Sequence, residues 1–202
     1  QRGQVVGPWS APLRPNVLLR GEEVREKLIV QNFISMPGPI FRRSLLLPEL
    51  TATGAPLDVS LWYTADWTLW LTLTERGSWF YHAPPLSCFR VHPESITAKA
   101  VVDEHYRNQL LQVVERFLPL TDATPGAPYR RQLADFSIAV NMFLASVFSG
   151  RVQGLIPLLR SAVQLGPRGL WDYCDASRIH QRLWARLRTL VGTRAVHRRQ
   201  PD

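Results

Sequence analysis

Cysteine is nearly absent: Cys88 and Cys174 are the two in 202 residues. That excludes a small disulfide-stapled scaffold, and two free buried thiols are the expectation. Lysine is as scarce, since only Lys27 and Lys99 among 24 basic residues are not arginine. Arginine offers planar bidentate contacts to phosphate or carboxylate, but coding bias produces the same skew, and the skew runs through both halves of the chain. None of Asn16, Asn32, Asn108 and Asn141 opens a glycosylation sequon. No charged n-region followed by an apolar h-region stands at the start. The chain opens on Gln1, which reads as processing or as a piece of something longer. The uncharged run between Asp135 and Arg151 is 15 residues, short of the roughly 20 that span a bilayer. Extending it to Leu159 would place Arg151, Gly150, Gly154 and Pro157 inside the span. The run therefore reads as a helix buried on most sides of a helical layer, with a re-entrant membrane hairpin as the alternative.

Catalytic signatures are missing too. There is no Gly-x-Ser-x-Gly elbow, no Gly-x-Gly-x-x-Gly turn and no Gly-x-x-x-x-Gly-Lys loop. The five histidines lack His-Glu-x-x-His spacing, and the cysteines lack Cys-x-x-Cys spacing. Asp172, Cys174, Asp175 and His180 fall close together, but the simpler reading makes Asp175 a helix N-cap and leaves His180 in solvent. Asp103-Glu104-His105 reads as an acidic helix start that complements the dipole, and Glu22, Glu23 and Glu26 as a solvated edge. No cofactor or metal is expected, and catalysis has no motif behind it.

Aromatic residues are plentiful. Seven Trp, eight Phe and five Tyr within a 46% hydrophobic composition exclude a disordered chain. The length fits one or two domains. The formal charge of +8 is unevenly placed: residues 1–122 carry 12 basic and 12 acidic side chains, and residues 123–202 carry 12 and 4. The whole excess lies in the last 80 residues and points to a polyanionic partner there.

Residues 1–15, with Pro8, Pro12 and Pro15, read as an extended arm. Short apolar runs at 16–19, 27–34 and 40–47 have a β character. Between Leu57 and His82, alternation through Val59, Leu61, Tyr63, Trp67, Leu69, Leu71, Trp79 and Tyr81 predicts an antiparallel meander. On such a sheet Trp62, Trp67, Trp70 and Trp79 occupy both faces. Residues 88–91 read as one further strand. Beyond Pro93 the period turns helical, with Tyr106, Leu110, Val113, Val114, Phe117 and Leu118 on one face behind Asp103 as N-cap. A Pro/Gly linker at 119–128 precedes three helical stretches: about 130–149 before Gly150, about 152–165 before Gly166-Pro167 and interrupted by Pro157, and about 176–191 behind Asp175 and closing at Gly192.

The expected fold is α+β, an N-terminal antiparallel β-meander followed by a helical C-terminal layer. Its organisation is an arm (1–15), a β-rich region with one packed helix (16–122) and a basic helical region (123–202). In the last stretch Ile179, Leu183, Trp184, Leu187, Leu190 and Val191 line one side and arginines another, as in a basic amphipathic helix. The residues expected to meet a partner or an anionic surface are Arg178, Arg182, Trp184, Arg186, Arg188, Arg194, Arg198 and Arg199. The polar tail at 198–202 is of a kind that frays unless something outside the chain holds it.

These features favour a non-catalytic accessory subunit of a large assembly, in a mitochondrial membrane-associated complex or another intracellular setting. It would dock on other protein subunits, with cardiolipin-like anionic lipid or RNA at the basic helix. The alternatives are an RNA-binding protein of the mitoribosomal type and a small-ligand carrier or enzyme built around the Trp-rich sheet.

Overall fold

The computed structural model describes residues 9–48, 54, 57–58, 60–88, 104–121, 126–148, 150–181 and 183–184. Its elements run β1 (Leu18–Leu19), α1 (Gly21–Leu28), a 3-10 turn (Arg43–Leu45), α2 (Ala65–Thr74), β2 (Trp79–Phe80), α3 (Glu104–Phe117), a second 3-10 turn (Leu118–Thr121), α4 (Ala127–Phe148) and α5 (Leu155–Ser177).

The expected α+β fold with a meander is wrong. Among the described residues the chain is helical, and the only sheet is a ribbon in which Leu18 faces Phe80 and Leu19 faces Trp79 in antiparallel register. The centre of the supposed meander is α2. Its sequence, Ala-Asp-Trp-Thr-Leu-Trp-Leu-Thr-Leu-Thr, puts apolar groups on every side, so no helical stripe stands out and the Trp-Leu-Leu-Leu alternation imitates a strand. An apolar run of this length fits a buried strand or a buried helix equally well. Burial on all sides decides for the helix: Trp67, Leu69, Trp70, Leu71 and Leu73 are all in the core. The threonines do not compete, because Thr72 Oγ1 donates to the Thr68 carbonyl (3.0 Å) and Thr74 Oγ1 to that of Leu71 (2.6 Å). The binding surface of four tryptophans disappears with the sheet. Trp67 and Trp70 are core, Trp62 is exposed with its ring edge-on to Tyr63, and Trp79 is half-buried in the ribbon.

Other β runs also became helix or coil. The run at 27–34 is the end of α1 and the coil after it, where Leu28, Ile29, Val30 and Phe33 enter the core. The run at 40–47 contains the first 3-10 turn. Cys88 is exposed coil, and 89–91 lie outside the described residues. Strands do form within 16–19 and at 79–80. Of the predicted face, Tyr106, Leu110, Val113, Val114 and Phe117 are buried in α3, with Gln109 added to them, whereas Leu118 is half-buried in the second 3-10 turn; Asp103 lies outside the described residues. Gln109 Oε1 accepts the Tyr63 N–H (3.1 Å), and the Tyr106 and Tyr63 hydroxyls meet at 2.9 Å.

Local signals explain α1. Glu23, in its first turn, accepts the Arg20 N–H at 2.9 Å. That bond, with Arg14 beside it, holds the Glu23 carboxyl below its ordinary value. Gly21 opens the helix where it presses on the end of α2, and a Cβ there would collide with the Thr74 carbonyl. Residues 9–14 lie along this face: Trp9 Nε1 donates to Phe33 O (2.8 Å), the Ala11 N–H to Tyr81 Oη (3.2 Å), and Pro12 is buried.

α4 and α5 form an antiparallel hairpin, since Phe136 stacks edge-on to Tyr173 (4.9 Å) and Tyr129 Oη donates to Asp172 (2.6 Å). Gly150, as expected, ends α4. It sits at φ 76, its N–H bonds the Val147 carbonyl (3.0 Å), and the Arg151 N–H bonds that of Ser146 (2.9 Å). This is a Schellman stop. Pro157 does not interrupt α5, because it sits in the first turn where no intrahelical donor is needed. The break lies at Gly166 (φ 69, ψ 175), a conformation open only to glycine, and Pro167 starts the second segment.

The expectation that α4 is buried on most sides holds only for its first half. Leu133, Ala134, Phe136, Ser137 and Ile138 are buried, whereas residues 139–145, Val140, Phe143 and Leu144 included, are half-exposed. With 22 residues, α4 outruns the 14-residue α3 that it packs against.

Two predictions follow from the core. Gly21→Ala should destabilise the protein by about 1–3 kcal/mol through overpacking, read as a lowered urea midpoint; an unchanged midpoint would mean that α1 and α2 do not approach this closely. Trp67 Nε1 donates to the Leu28 carbonyl at 2.8 Å, whereas the buried Trp70 Nε1 has no acceptor among the described residues. Trp67→Phe should therefore cost more than Trp70→Phe by about 1–3 kcal/mol, the penalty for stranding a buried partner, in parallel denaturation curves.

Candidate interaction surface

Most described ionisable side chains near possible sites are already engaged. Asp172 accepts from Tyr129, whose hydroxyl is pushed above its ordinary value by that bond. Asp175 does not cap a following helix as expected: it lies in the last turn of α5 and accepts Lys27 Nζ at 2.8 Å. That bond lowers its pKa and ties α1 to α5; as a half-exposed pair it contributes about 0–1 kcal/mol. His180 is exposed, as expected, and so are Cys88 and Cys174, which were expected to be buried. Glu26 pairs with Arg130 (3.3 Å), and His105 meets Gln109 at 2.9 Å. Among the described residues no three His, Cys, Asp or Glu converge as metal ligands. An open, shallow groove lies beside Leu118, Ala127, Pro128 and Arg131.

Asp66 is the exception that faces inward. It stands in the first turn of α2, accepts the Trp67 N–H (2.7 Å) and Asn32 Nδ2 (3.3 Å), and joins a polar seam between helices. Next along the seam, Gln31 Oε1 accepts from Ser137 Oγ and Asn141 Nδ2 of α4, both at 2.9 Å. Burial pushes the Asp66 carboxyl above its ordinary 3.8, and these hydrogen bonds oppose the rise without cancelling it.

The predicted basic surface is only partly described. Arg178 is not on a solvated helix face. It ends α5 in the left-handed conformation (φ 50), is half-buried, and approaches Asp175 at 3.5 Å. Trp184 is exposed in a short helical stretch. Ile179 is buried, and Gln181 holds Ser10 through bonds of 2.9–3.2 Å. Arg182, Arg186, Arg188, Arg194, Arg198 and Arg199 lie outside the described residues.

A different surface stands out, one that sequence reading overlooked. In the first segment of α5, Leu158, Ala162 and Leu165 pack on the core. Leu155, Leu159, Val163 and Ile156 occupy the adjoining arc of about 100°, and all are exposed, Ile156 at 73% and Val163 at 81%. The apolar arc is thus about three times as wide as the part that packs. Val147 and Val152 (72% exposed) continue it around the hairpin tip. Arg160 borders the arc, and neither it nor Arg151 meets a carboxylate among the described residues. The signal for it in the sequence is the width of the apolar arc on a wheel through 155–165.

No protein-family profile, curated protein or solved structure matches this chain. Among the described residues no helix is long and apolar enough to cross a membrane.

The Asp66 carboxyl generates a pH prediction. Its folded pKa is raised, so its contribution is complete below about 3.8 and is lost as pH rises through the folded value. Asp66→Asn keeps an acceptor for Trp67 and removes this loss. The variant should match the parent in acid and become the more stable of the two above that window, in urea midpoints taken across pH. Lower stability of the Asn variant at neutral pH would show instead that the carboxylate stabilises the start of α2.

Proposed function

We propose that the chain is a non-catalytic accessory subunit of a larger assembly, docked through its basic C-terminal helical layer. The observation that carries this reading is the uncovered apolar surface of that layer, on the outer arc of α5 and around the tip of the α4–α5 hairpin. Contiguous apolar exposure of this kind, rimmed by arginine, marks an interaction site rather than an ordinary solvated surface. Trp171, also on α5, and Trp184 add two exposed indoles, a residue type enriched at interfaces. The excess charge supports the same region: all of the +8 falls within residues 123–202, matched to a partner of negative potential. A mitochondrial membrane-associated complex is the setting proposed, because cardiolipin-rich surfaces attract Arg-rich segments.

The endogenous chain, extracted gently, should migrate at several times its 23.0 kDa mass. Reversing Arg182 and Arg186 to Glu should shift it toward the monomer without changing its melting temperature. Migration of the unaltered chain at its own mass overturns the reading. Release by ribonuclease would replace it with RNA binding.

A further inference from the structure

The hairpin of α4 and α5 has a charge pattern of its own. Between Asp135 and Asp172 no acidic side chain occurs, and the charges present are Arg151, Arg160 and Arg168. All three are exposed. Arg151 sits in the tip turn and Arg160 beside the outer arc of α5, so cationic groups flank the exposed apolar side chains of the tip and arc. The apolar surface runs from Val147 around the turn to Val152, Leu155 and Ile156, then along Leu159 and Val163.

We infer that this hairpin inserts its tip and the outer arc of α5 into the headgroup boundary of an anionic lipid bilayer. Charge complementarity selects the occupant: a phosphate-bearing surface matches the outer part of the hairpin, residues 136–171, which carries arginines and no carboxylates. Length sets the depth. Among the described residues no helix is long and apolar enough to span, but one apolar arc bordered by arginine suits a helix lying about 5–10 Å into the interface. The turn is made rigid enough to present the tip. Ser146 Oγ lies 3.1 Å from the Arg151 carbonyl and 3.2 Å from that of Gln153, and it accepts the Gln153 N–H at 3.1 Å. Gly150 and Gly154 supply the left-handed corners. The inference rests on the proposed docking role of the C-terminal layer and names the lipid-facing part of it.

The test is flotation of the purified full chain with vesicles of phosphatidylcholine alone or with cardiolipin added, across a salt series. The chain should bind the cardiolipin vesicles and not the neutral ones. Ile156→Ser with Val163→Ser should weaken binding at least about tenfold at every salt concentration, since it removes apolar burial. Arg151→Glu with Arg160→Glu should weaken it mainly at low salt. All four positions are exposed, so melting temperatures should stay unchanged. Independently, Ile156→Trp should gain fluorescence quenching by brominated acyl chains. Absence of vesicle binding, or binding that is unaffected by the Ser pair and leaves the Trp unquenched, overturns the inference. A native assembly that persists without vesicle binding retains the accessory-subunit reading alone. An assembly lost on the Ser substitutions, again without vesicle binding, makes the arc a protein-docking face. Vesicle binding by a chain that is monomeric in extracts retains the lipid site alone.

Discussion

A ten-residue helix that is apolar on every side has to be surrounded, and α2 imposes that requirement on the rest of the fold. Packing against α2 places α1 and α3 around it, with Gly21 giving the clearance at one end and Phe41 meeting the Trp70 ring at 6.1 Å. The backbone at the end of α1 receives the Trp67 indole N–H, so one side chain both fills the core and satisfies a carbonyl at a helix end. Enclosing α2 also accounts for the polar seam. The segment that leaves α1 must cross between α2 and α4, and its Gln31 and Asn32 meet Asp66, Ser137 and Asn141 there instead of water. Buried polar groups are tolerable when they find partners, and they then fix how the helices are placed.

The molecule is consequently unequal along α4. Its first half belongs to the core around α2. Its second half projects past that layer with α5, and the hairpin keeps its shape through backbone caps and the Ser146 bonds. The apolar surface left over at the far end has no counterpart in the core, which is why it reads as a contact surface. Anchoring is distributed elsewhere: Lys27 to Asp175 and Gln181 to Ser10 bind the base of the hairpin to the body, and Tyr129 to Asp172 closes the hairpin at that end. A fixed base and a free tip suit an element that presents itself to something outside the chain.

Some of this was legible in the residues alone. Tyr106 to Phe117 repeats at a helical period with polar residues between, so α3 and its buried face follow directly from sequence. Gly150 after an uninterrupted helical stretch marks the end of α4, because few other residues occupy a left-handed corner cheaply. The confinement of the net positive excess to residues 123–202 is likewise a property of sequence alone. Only the tertiary structure decided the state of 65–74, since an apolar run without a stripe has no preferred period and takes whichever conformation its surroundings allow. Tertiary packing also decided where Asp175 and Arg178 go: α5 restarts at Pro167 and runs through Asp175, which makes that residue a partner for Lys27 instead of a cap. The exposed arc of α5 was settled the same way. A sequence shows how wide an apolar arc is, but how much of that arc is covered depends on how far the neighbouring helices reach, and here they end before the hairpin does.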